Sequence, residues 1–516
     1  MSGAINNGLS NELSSEIANQ MMTQEALMQW IILLPLLAIP GILLFHKQQN
    51  LREAATLIVG ALLLFAVIAF YQSFDAGQGA YVHWWELLPG LDIAFRAEPL
   101  GVLFSLVAGS LWLVTSIYSI GYMRGHGEGN QTRFYFFFAI AITGVMGLAF
   151  ADNLFTLFVF YEILTLSTYP LVTHAGTDKA RHGGRIYLSI LLVTSILFFL
   201  FAVIGTWTET GDLTFTAGGV FDDSTSKVVA SVLLALFVFG IGKAAVMPFH
   251  RWLPAAMVAP TPVSALLHAV AVVKAGVFSI MKVCVYIFGI DLLAELPITD
   301  WLLYIATAGV LLASLVAMRQ DNLKKRLAYS TVSQLGYITI GALLATQSGV
   351  LGGSFHIVAH AFGKITLFFC AGAIMVAAHK TEISDMRGLG KTMPLTMIAF
   401  FIGSMSIIGL PPAAGMWSKW YLLMGTLEAE QVAVMIVLMI SSLLNIAYLL
   451  PIPLRAFFDG ERSVVSIRRD EIKEAPWPSL LALSITAIMT LVFFFWPQPF
   501  YGLAQSLATI AGGAHG

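Results

Sequence analysis

Gly240-Ile-Gly-Lys243-Ala-Ala-Val-Met-Pro248-Phe-His250-Arg-Trp-Leu-Pro254 interrupts an otherwise apolar run that begins near residue 229. A membrane-crossing helix needs about 20 mostly apolar residues, and this run is long enough. It also carries a lysine and two prolines. Pro248 cannot donate to the carbonyl of Ala244, and Pro254 repeats the defect. Backbone groups freed in hydrocarbon need protein or water partners. Such a segment belongs inside a bundle of other helices, so the expected fold is an all-α polytopic membrane protein with a broken seventh span. Gly409-Leu-Pro411-Pro412-Ala-Ala-Gly415-Met-Trp-Ser-Lys419 repeats the combination in the twelfth. Interrupted spans in corresponding positions of two halves point to a transport site between repeats.

Composition agrees. The 516 residues are 58% hydrophobic and 11% charged, with a mean hydropathy of +0.82. A soluble domain has about 25% charged residues. The net charge of −2 gives no reason to expect nucleic acid. Cys284 and Cys370 have neither metal nor redox spacing and read as core packing. Residues 1–28 are polar and contain no Lys or Arg, so they lack the basic start of a signal peptide. They read as a polar tail ahead of an uncleaved first span.

Fourteen apolar stretches are expected to cross the membrane: 28–45, 53–72, 99–122, 134–151, 153–173, 185–207, 229–255, 261–290, 299–318, 327–346, 350–378, 393–426, 432–457 and 477–497. With the N-terminus outside, alternate connections hold 20 basic residues on the inner side, and the outer side holds only Arg96 and Lys227. That split satisfies the positive-inside rule and places both termini outside a bacterial inner membrane. The chain then divides into the tail, three leading spans (29–133), five-helix repeats over 134–290 (helices 4–8) and 299–457 (helices 9–13), and a last segment (458–516). This last segment comprises a cytoplasmic loop, the final span and a short tail.

Six charges remain inside the spans: Glu162, Lys243, Lys274, Lys282, Lys364 and Lys419. Each would cost roughly 2.5–3.5 kcal/mol at a bilayer centre. They are therefore expected to face the protein interior, pair, or meet water, as a proton path requires. Glu162 shares a helical face with Thr165 and Tyr169, and Lys243 is its best candidate partner. Burial disfavours a charged amine and a nearby carboxylate restores it, so the two could form a Coulombic switch. His268 and Lys274 are six residues apart and point about 120° apart on a 3.6-residue helix. One is expected to face the seventh span and the other the eleventh. His356, His360 and Lys364 follow at i, i+4, i+8 as one titratable face, suited to a water-bridged proton wire because histidine titrates near neutrality. Lys419 is the expected exit. Lys282 reads as a structural lysine snorkelling to the outer interface. The run Asp321-Asn-Leu-Lys324-Lys325-Arg326 reads as a topology anchor, with Asp321 pairing locally.

The two histidines at i, i+4 have no third ligand nearby, so no metal is expected, and haem ligation by His268 with one of them is disfavoured likewise. Walker and Rossmann glycine patterns and cysteine clusters are missing. No cofactor is implied, and the drive is expected from an ion gradient or a partner subunit.

These residues resemble a known family. Leu157-Phe-Val-Phe-Tyr161-Glu162, Gly242-Lys243 through Pro254, Ala259-Pro-Thr-Pro-Val-Ser-Ala-Leu-Leu-His268-Ala, Val273-Lys274-Ala-Gly276, Lys325-Arg-Leu-Ala-Tyr-Ser-Thr-Val-Ser-Gln-Leu-Gly336, His356 to Lys364 and Gly409-Leu-Pro-Pro412 are similar to the antiporter-like subunits shared by respiratory complex I and Mrp cation/proton antiporters. The likeness runs from about residue 95 to 455. It implies that Glu162 and Lys243 form the key ion pair. It also implies that His268, Lys274, His356, His360, Lys364 and Lys419 lie on a central hydrophilic axis. The chain length and the end soon after the last span look like the D-type Mrp subunit, whereas Met416-Trp-Ser-Lys419-Trp departs from that subunit's commonest wording. The resemblance implies a secondary transporter subunit, not itself an enzyme, working with other membrane subunits to exchange Na⁺ or K⁺ for H⁺. The alternative is the proton-pumping subunit of a complex I-like oxidoreductase or membrane-bound hydrogenase.

Overall fold

The computed structural model describes residues 23–459 and 473–513, apart from 78, 89 and 223. Arg462, Arg468 and Arg469, counted in the charge bias, lie outside the described residues, as does most of the polar tail. The chain is a helical bundle. In order it forms α1 (Thr23–Leu44), α2 (Gln49–Ser73), a hairpin of β1 (Tyr81–Leu88) and β2 (Leu91–Arg96), α3 (Pro99–Gly125), α4 (Gln131–Ala149), α5 (Leu154–Val172), α6 (Asp178–Thr210), α7 (Lys227–Gly240) and α8 (Thr261–Phe288). Then follow α9 (Pro297–Arg319), α10 (Leu323–Leu343), α11 (Gln347–Ala378), α12 (Pro394–Ile408), α13 (Gly415–Glu428), α14 (Val432–Phe458), α15 (Trp477–Phe495) and α16 (Gln498–Ala511). Among the described residues, eleven of these helices are long and apolar enough to cross a membrane. Adding α10 and the two interrupted pairs, α7 with residues 252–258 and α12 with α13, would give the fourteen spans expected.

Local chemistry sets the helix starts. Asn153, Thr177, Asn322 and Thr346 each accept a first-turn backbone N–H, as side chains of this type do at an N-cap. Burial then sorts the helices into layers. Every residue in the best membrane window of α8 is buried, against one third in α1 and α6. The outer helices present large apolar side chains such as Phe65, Leu197 and Leu443 on the bundle's exterior, which is the face lipid demands. The helix that carries His268, Lys274 and Lys282 is therefore the central one, shielded from lipid on all sides.

Two elements depart from the expected outline. Residues 81–96 form an antiparallel hairpin, docked by Asp152 N–H donating to Ala94 O at 3.0 Å and by the Arg96–Asp152 ion pair at 2.5 Å. The expected short tail after the last span is instead the helix α16, packed on the core through Leu503, Ala504 and Leu507.

The seventh span breaks earlier than the prolines suggest. α7 stops at Gly240, Lys243 occupies a single 3₁₀ turn (Gly242–Ala244), and Ala245 is left-handed at φ 54°. The Trp252 indole N–H donates to Gly242 O at 3.0 Å, a carbonyl that also accepts the Ala245 N–H and so pins the 3₁₀ turn. In the twelfth span Gly409 takes φ +90°, a backbone region that favours glycine. A Cβ there would stand 2.7 Å from Lys419 Cδ. The missing side chain lets Lys419 lie across the break and donate to the freed Ile408 carbonyl at 3.0 Å. A lysine on the last carbonyls of a helix also meets its negative pole.

Candidate functional site

Lys243, Lys274, Lys282 and Lys364 are fully buried, and Lys419 nearly so. Of these, Lys282 alone is ion-paired among the described residues. Lys243 reaches α5, where its Nζ donates to Tyr161 O at 2.9 Å and to Thr165 Oγ1 at 2.5 Å. The ammonium also lies over the Tyr161 ring, 3.1 Å from its centroid, and the Tyr161 hydroxyl accepts the Lys243 backbone N–H at 3.1 Å. Glu162 follows Tyr161 directly. Both of its carboxylate oxygens are buried and without a hydrogen-bond partner. The expected pair therefore shares one turn of α5 without touching in this arrangement.

From the first break the row continues across α8. Gly276 packs on the backbone of Lys243 and Ala244 so closely that a Cβ would overlap it. Two residues earlier on α8, Lys274 Nζ meets His360 Nδ1 of α11. The His360 ring stacks on His356, centroids 6.0 Å apart. His356 then bridges two helices, with Nε2 3.1 Å from Gln334 Oε1 of α10 and Nδ1 2.8 Å from Ser418 Oγ of α13. The next residue is Lys419, which donates to Ile408 O and, at 3.1 Å, to Ser442 Oγ of α14. Its ammonium stands 4.7 Å from the Tyr337 ring centroid. A chain of titratable and hydroxyl groups thus runs from Lys274, on the helix packed against the first break, to Lys419 at the second.

The chemistry of each contact follows from the donor inventory. An ammonium has no acceptor, so Lys274 donates to an unprotonated Nδ1, or, as a neutral amine, accepts from Nδ1–H. Lys274 and His360 cannot both hold the extra proton at that contact without repulsion. The assigned geometry makes His356 a donor to the Gln334 carbonyl through Nε2, while its Nδ1 faces a Ser418 hydroxyl whose one hydrogen also reaches Gly415 O at 3.0 Å.

Lys364 lies beside this row, not in it. Its Nζ donates to Ser330 Oγ of α10 at 2.7 Å, and the Tyr448 hydroxyl donates to the same oxygen at 3.0 Å. His268 is buried against Phe368 of α11, with 4.9 Å between ring centroids, and neither ring nitrogen has a hydrogen-bond partner.

A family profile described as "NADH:quinone oxidoreductase/Mrp antiporter, TM" matches residues 151–445. The chain belongs to this family. All eight expected site residues fall within the matched stretch. The chain is 34% identical over 386 residues to NADH-quinone oxidoreductase subunit N of Desulforudis audaxviator, covering 74% of this chain and 75% of that one. It is 34% identical over 347 residues to Hydrogenase-4 component B of Escherichia coli, covering 64% of this chain and spanning only half of that relative's length. Its fold matches a chain of the Mrp complex from Dietzia sp. with a TM-score of 0.83 at 23% identity, covering 94% of this chain and 97% of that one.

Within this antiporter-like bundle three local expectations are corrected. Lys282 does not snorkel: it is fully buried, paired with Glu98 Oε2 at 3.0 Å and donating to Ala151 O at 2.5 Å. The carboxylate comes from the start of α3, which no pattern local to α8 announces. His268 and Lys274 do not address different helices, because both meet α11. The backbone between them is a π turn (Leu266–Val270) followed by Ala271 at φ −108°, ψ −78°, so the regular 100° step does not hold, and a lysine side chain spans the remaining angle. Asp321 does not pair within its basic run but binds Ser384 through both carboxylate oxygens.

The sequence reading missed the uncharged partners: Gln334, Ser330, Ser418, Ser442, Tyr337 and Tyr448. Ser330-Thr-Val-Ser-Gln334 in α10 carried the available signal, a polar run in a membrane-length helix. Its hydroxyls face α11 and α14 only once the helices pack.

Proposed function

We propose that the chain is the proton-translocating subunit of a multi-subunit monovalent-cation (Na⁺ or K⁺)/H⁺ antiporter. Protons pass along Glu162, Lys243, Lys274, His360, His356 and Lys419, with His268 and Lys364 as flanking reservoirs. The observation that carries this reading is the Lys274–His360 contact placed between the two broken helices. It joins the halves through two groups that can hold one extra proton between them. Glu162 works as the switch. Its carboxylate oxygens lack partners, and rotation toward Lys243 would trade the Tyr161 and Thr165 contacts for an ion pair. That exchange changes whether Lys243 keeps its proton.

Antiport is supported by the match along nearly the whole length of an Mrp-complex chain. A second reading, the pumping subunit of a redox-driven complex, is favoured by the names of the relatives, a quinone oxidoreductase subunit and a hydrogenase component. Both readings place the chain among other membrane subunits, in a bacterial inner membrane, with the basic loops and not the termini inside.

The test is proton flux in everted vesicles carrying the assembled complex, for wild type and Lys243→Ala, with and without Na⁺ or K⁺. Cation-driven flux lost in Lys243→Ala supports antiport, whereas flux that requires an electron donor supports the redox-driven reading. Undiminished flux per assembled complex in Lys243→Ala would sink both and leave the charges a structural role.

A further inference from the structure

Lys324 and Lys419 each line a cleft. Lys324, expected as part of a surface anchor, turns inward at the start of α10 and donates to Ala259 O at 2.6 Å. Its cleft also holds Glu128, so a carboxylate is at hand. The cleft at Lys419 measures about 340 Å³ and is lined by no acid. Small-molecule sites run from roughly 300 to 1,000 Å³. This one lies where α12 breaks off, against α13 and α14. Lys419, Ser442 and Tyr337 are its polar end, and the other walls are largely apolar, among them Leu410, Trp420 and Leu443. Trp420, Met439 and Leu443 are each more than half exposed on the bundle's exterior, whereas Lys419 is nearly buried. The cleft therefore opens sideways, towards lipid, and ends at an amine. Lys419 stands nine residues before Glu428, the last residue of α13, or about 14 Å by helical rise. That is close to half of a hydrocarbon core about 30 Å thick.

The amine is under-used. Its Nζ donates to Ile408 O at 3.0 Å and to Ser442 Oγ at 3.1 Å. A lysine nitrogen has one position more, an N–H when charged and a lone pair when neutral. Among the described residues that position meets no further hydrogen-bond partner, only the Tyr337 ring with its centroid at 4.7 Å. The Tyr337 hydroxyl spends its own hydrogen on Leu438 O, which leaves the Ser442 O–H free to turn from Tyr337 to a guest. An occupant that suits this end accepts hydrogen bonds and brings a negative charge to match the lysine. It also carries an apolar body for the walls and reaches the middle of the bilayer. A phospholipid headgroup stays in the interfacial layer outside the hydrocarbon. A carboxylic acid on an acyl chain meets every requirement, because it travels to that depth as the neutral acid and so avoids the cost of a charge there.

We propose that this cleft binds a long-chain carboxylic acid drawn from the bilayer, with its carboxylate on Lys419 Nζ and Ser442 Oγ and its chain against Leu410, Trp420 and Leu443. The acid arrives protonated. Its O–H bond breaks, the proton moves to the lone pair of the neutral Lys419 amine, and an N–H bond forms. The products are a carboxylate and an ammonium, paired, with no net charge brought into the membrane. The inference gives Lys419 a ligand and stands beside the proton-translocation reading, not on it.

The experiment uses the assembled complex in nanodiscs of zwitterionic phospholipid, with palmitic acid carrying a photoreactive diazirine in its chain. Crosslinks are expected on the peptides that hold Trp420, Met439 or Leu443. Unlabelled palmitate should displace them, and palmitate methyl ester and phosphatidylglycerol should not. Lys419→Met removes the charged partner of the carboxylate and is expected to lower labelling at least about tenfold. Leu443→Trp, which narrows the mouth, should lower it by a similar factor while proton flux stays near wild type. Should Lys419→Met fail to assemble, the competition in the wild-type complex decides alone. The inference is overturned if the wild-type complex shows no crosslink on α13 or α14, as when a neighbouring subunit covers this face. It is overturned equally if the methyl ester competes as well as the acid, so that the amine reads no carboxylate, or if phosphatidylglycerol does, so that the guest is a phospholipid. Lys243→Ala is expected to label as wild type does, so a failure of the translocation reading leaves this result intact.

Discussion

Lys274 of α8 and His360 of α11 meet nitrogen to nitrogen, 86 residues apart in the chain. Among the described residues neither side chain has an acid partner, so the bond fails only if both carry the extra proton. Lys274→Met and His360→Ala are each expected to cut proton flux by at least about tenfold, equivalent to about 1.4 kcal/mol on the barrier. The double variant should be little worse than either alone, since residues that act as a unit are not additive. Flux in vesicles, normalised to assembled complex by immunoblot, is the measurement. Fully additive losses would argue against a shared proton.

Ser418 connects His356 to the second helix break. Ser418→Ala removes a 2.8 Å bond to Nδ1 and should cost about 0.5–1.5 kcal/mol. The expected outcome is a flux lowered by about two- to tenfold with assembly unchanged. The same variant leaves the Lys419 contact with Ile408 O intact, so a loss as large as that of Lys419→Ala would show a different coupling.

Gly276 fixes how closely α8 approaches the first break. Gly276→Ala must push the Cβ into the Lys243–Ala244 backbone. Overpacking of this kind costs about 1–3 kcal/mol. A lower thermal midpoint of the purified complex is expected, together with reduced flux. A variant as stable as wild type would show that the break can move aside.

Glu98, just before α3, and Lys282 of α8 form a buried ion pair. Lys282→Met alone strands a buried carboxylate and should destabilise by about 3–5 kcal/mol, whereas Glu98→Gln combined with Lys282→Met should recover most of that loss. Thermal unfolding of the solubilised complex reads both. Proton flux per assembled complex should stay near wild type in the double variant, because this pair lies outside the row between the breaks.

The amino-acid sequence by itself determined the class of the protein. Apolar length, proline chemistry and the cost of a charge in hydrocarbon are local properties of the chain, so the helical membrane bundle, both helix breaks and the buried charges at Glu162, Lys243, Lys274, Lys364 and Lys419 could be read from it. The hairpin over residues 81–96 was not read from the sequence, because it is docked by Asp152 and Phe150 from another element. What only the tertiary structure decided is which groups meet. A helix reports its own faces but not the register or angle at which a neighbour crosses it. Lys274 therefore finds His360, His356 finds Ser418, Lys282 finds Glu98 and Lys324 turns inward only once packing has set those crossings. A π turn and an irregular residue between His268 and Lys274 further remove the regular step on which any such count depends.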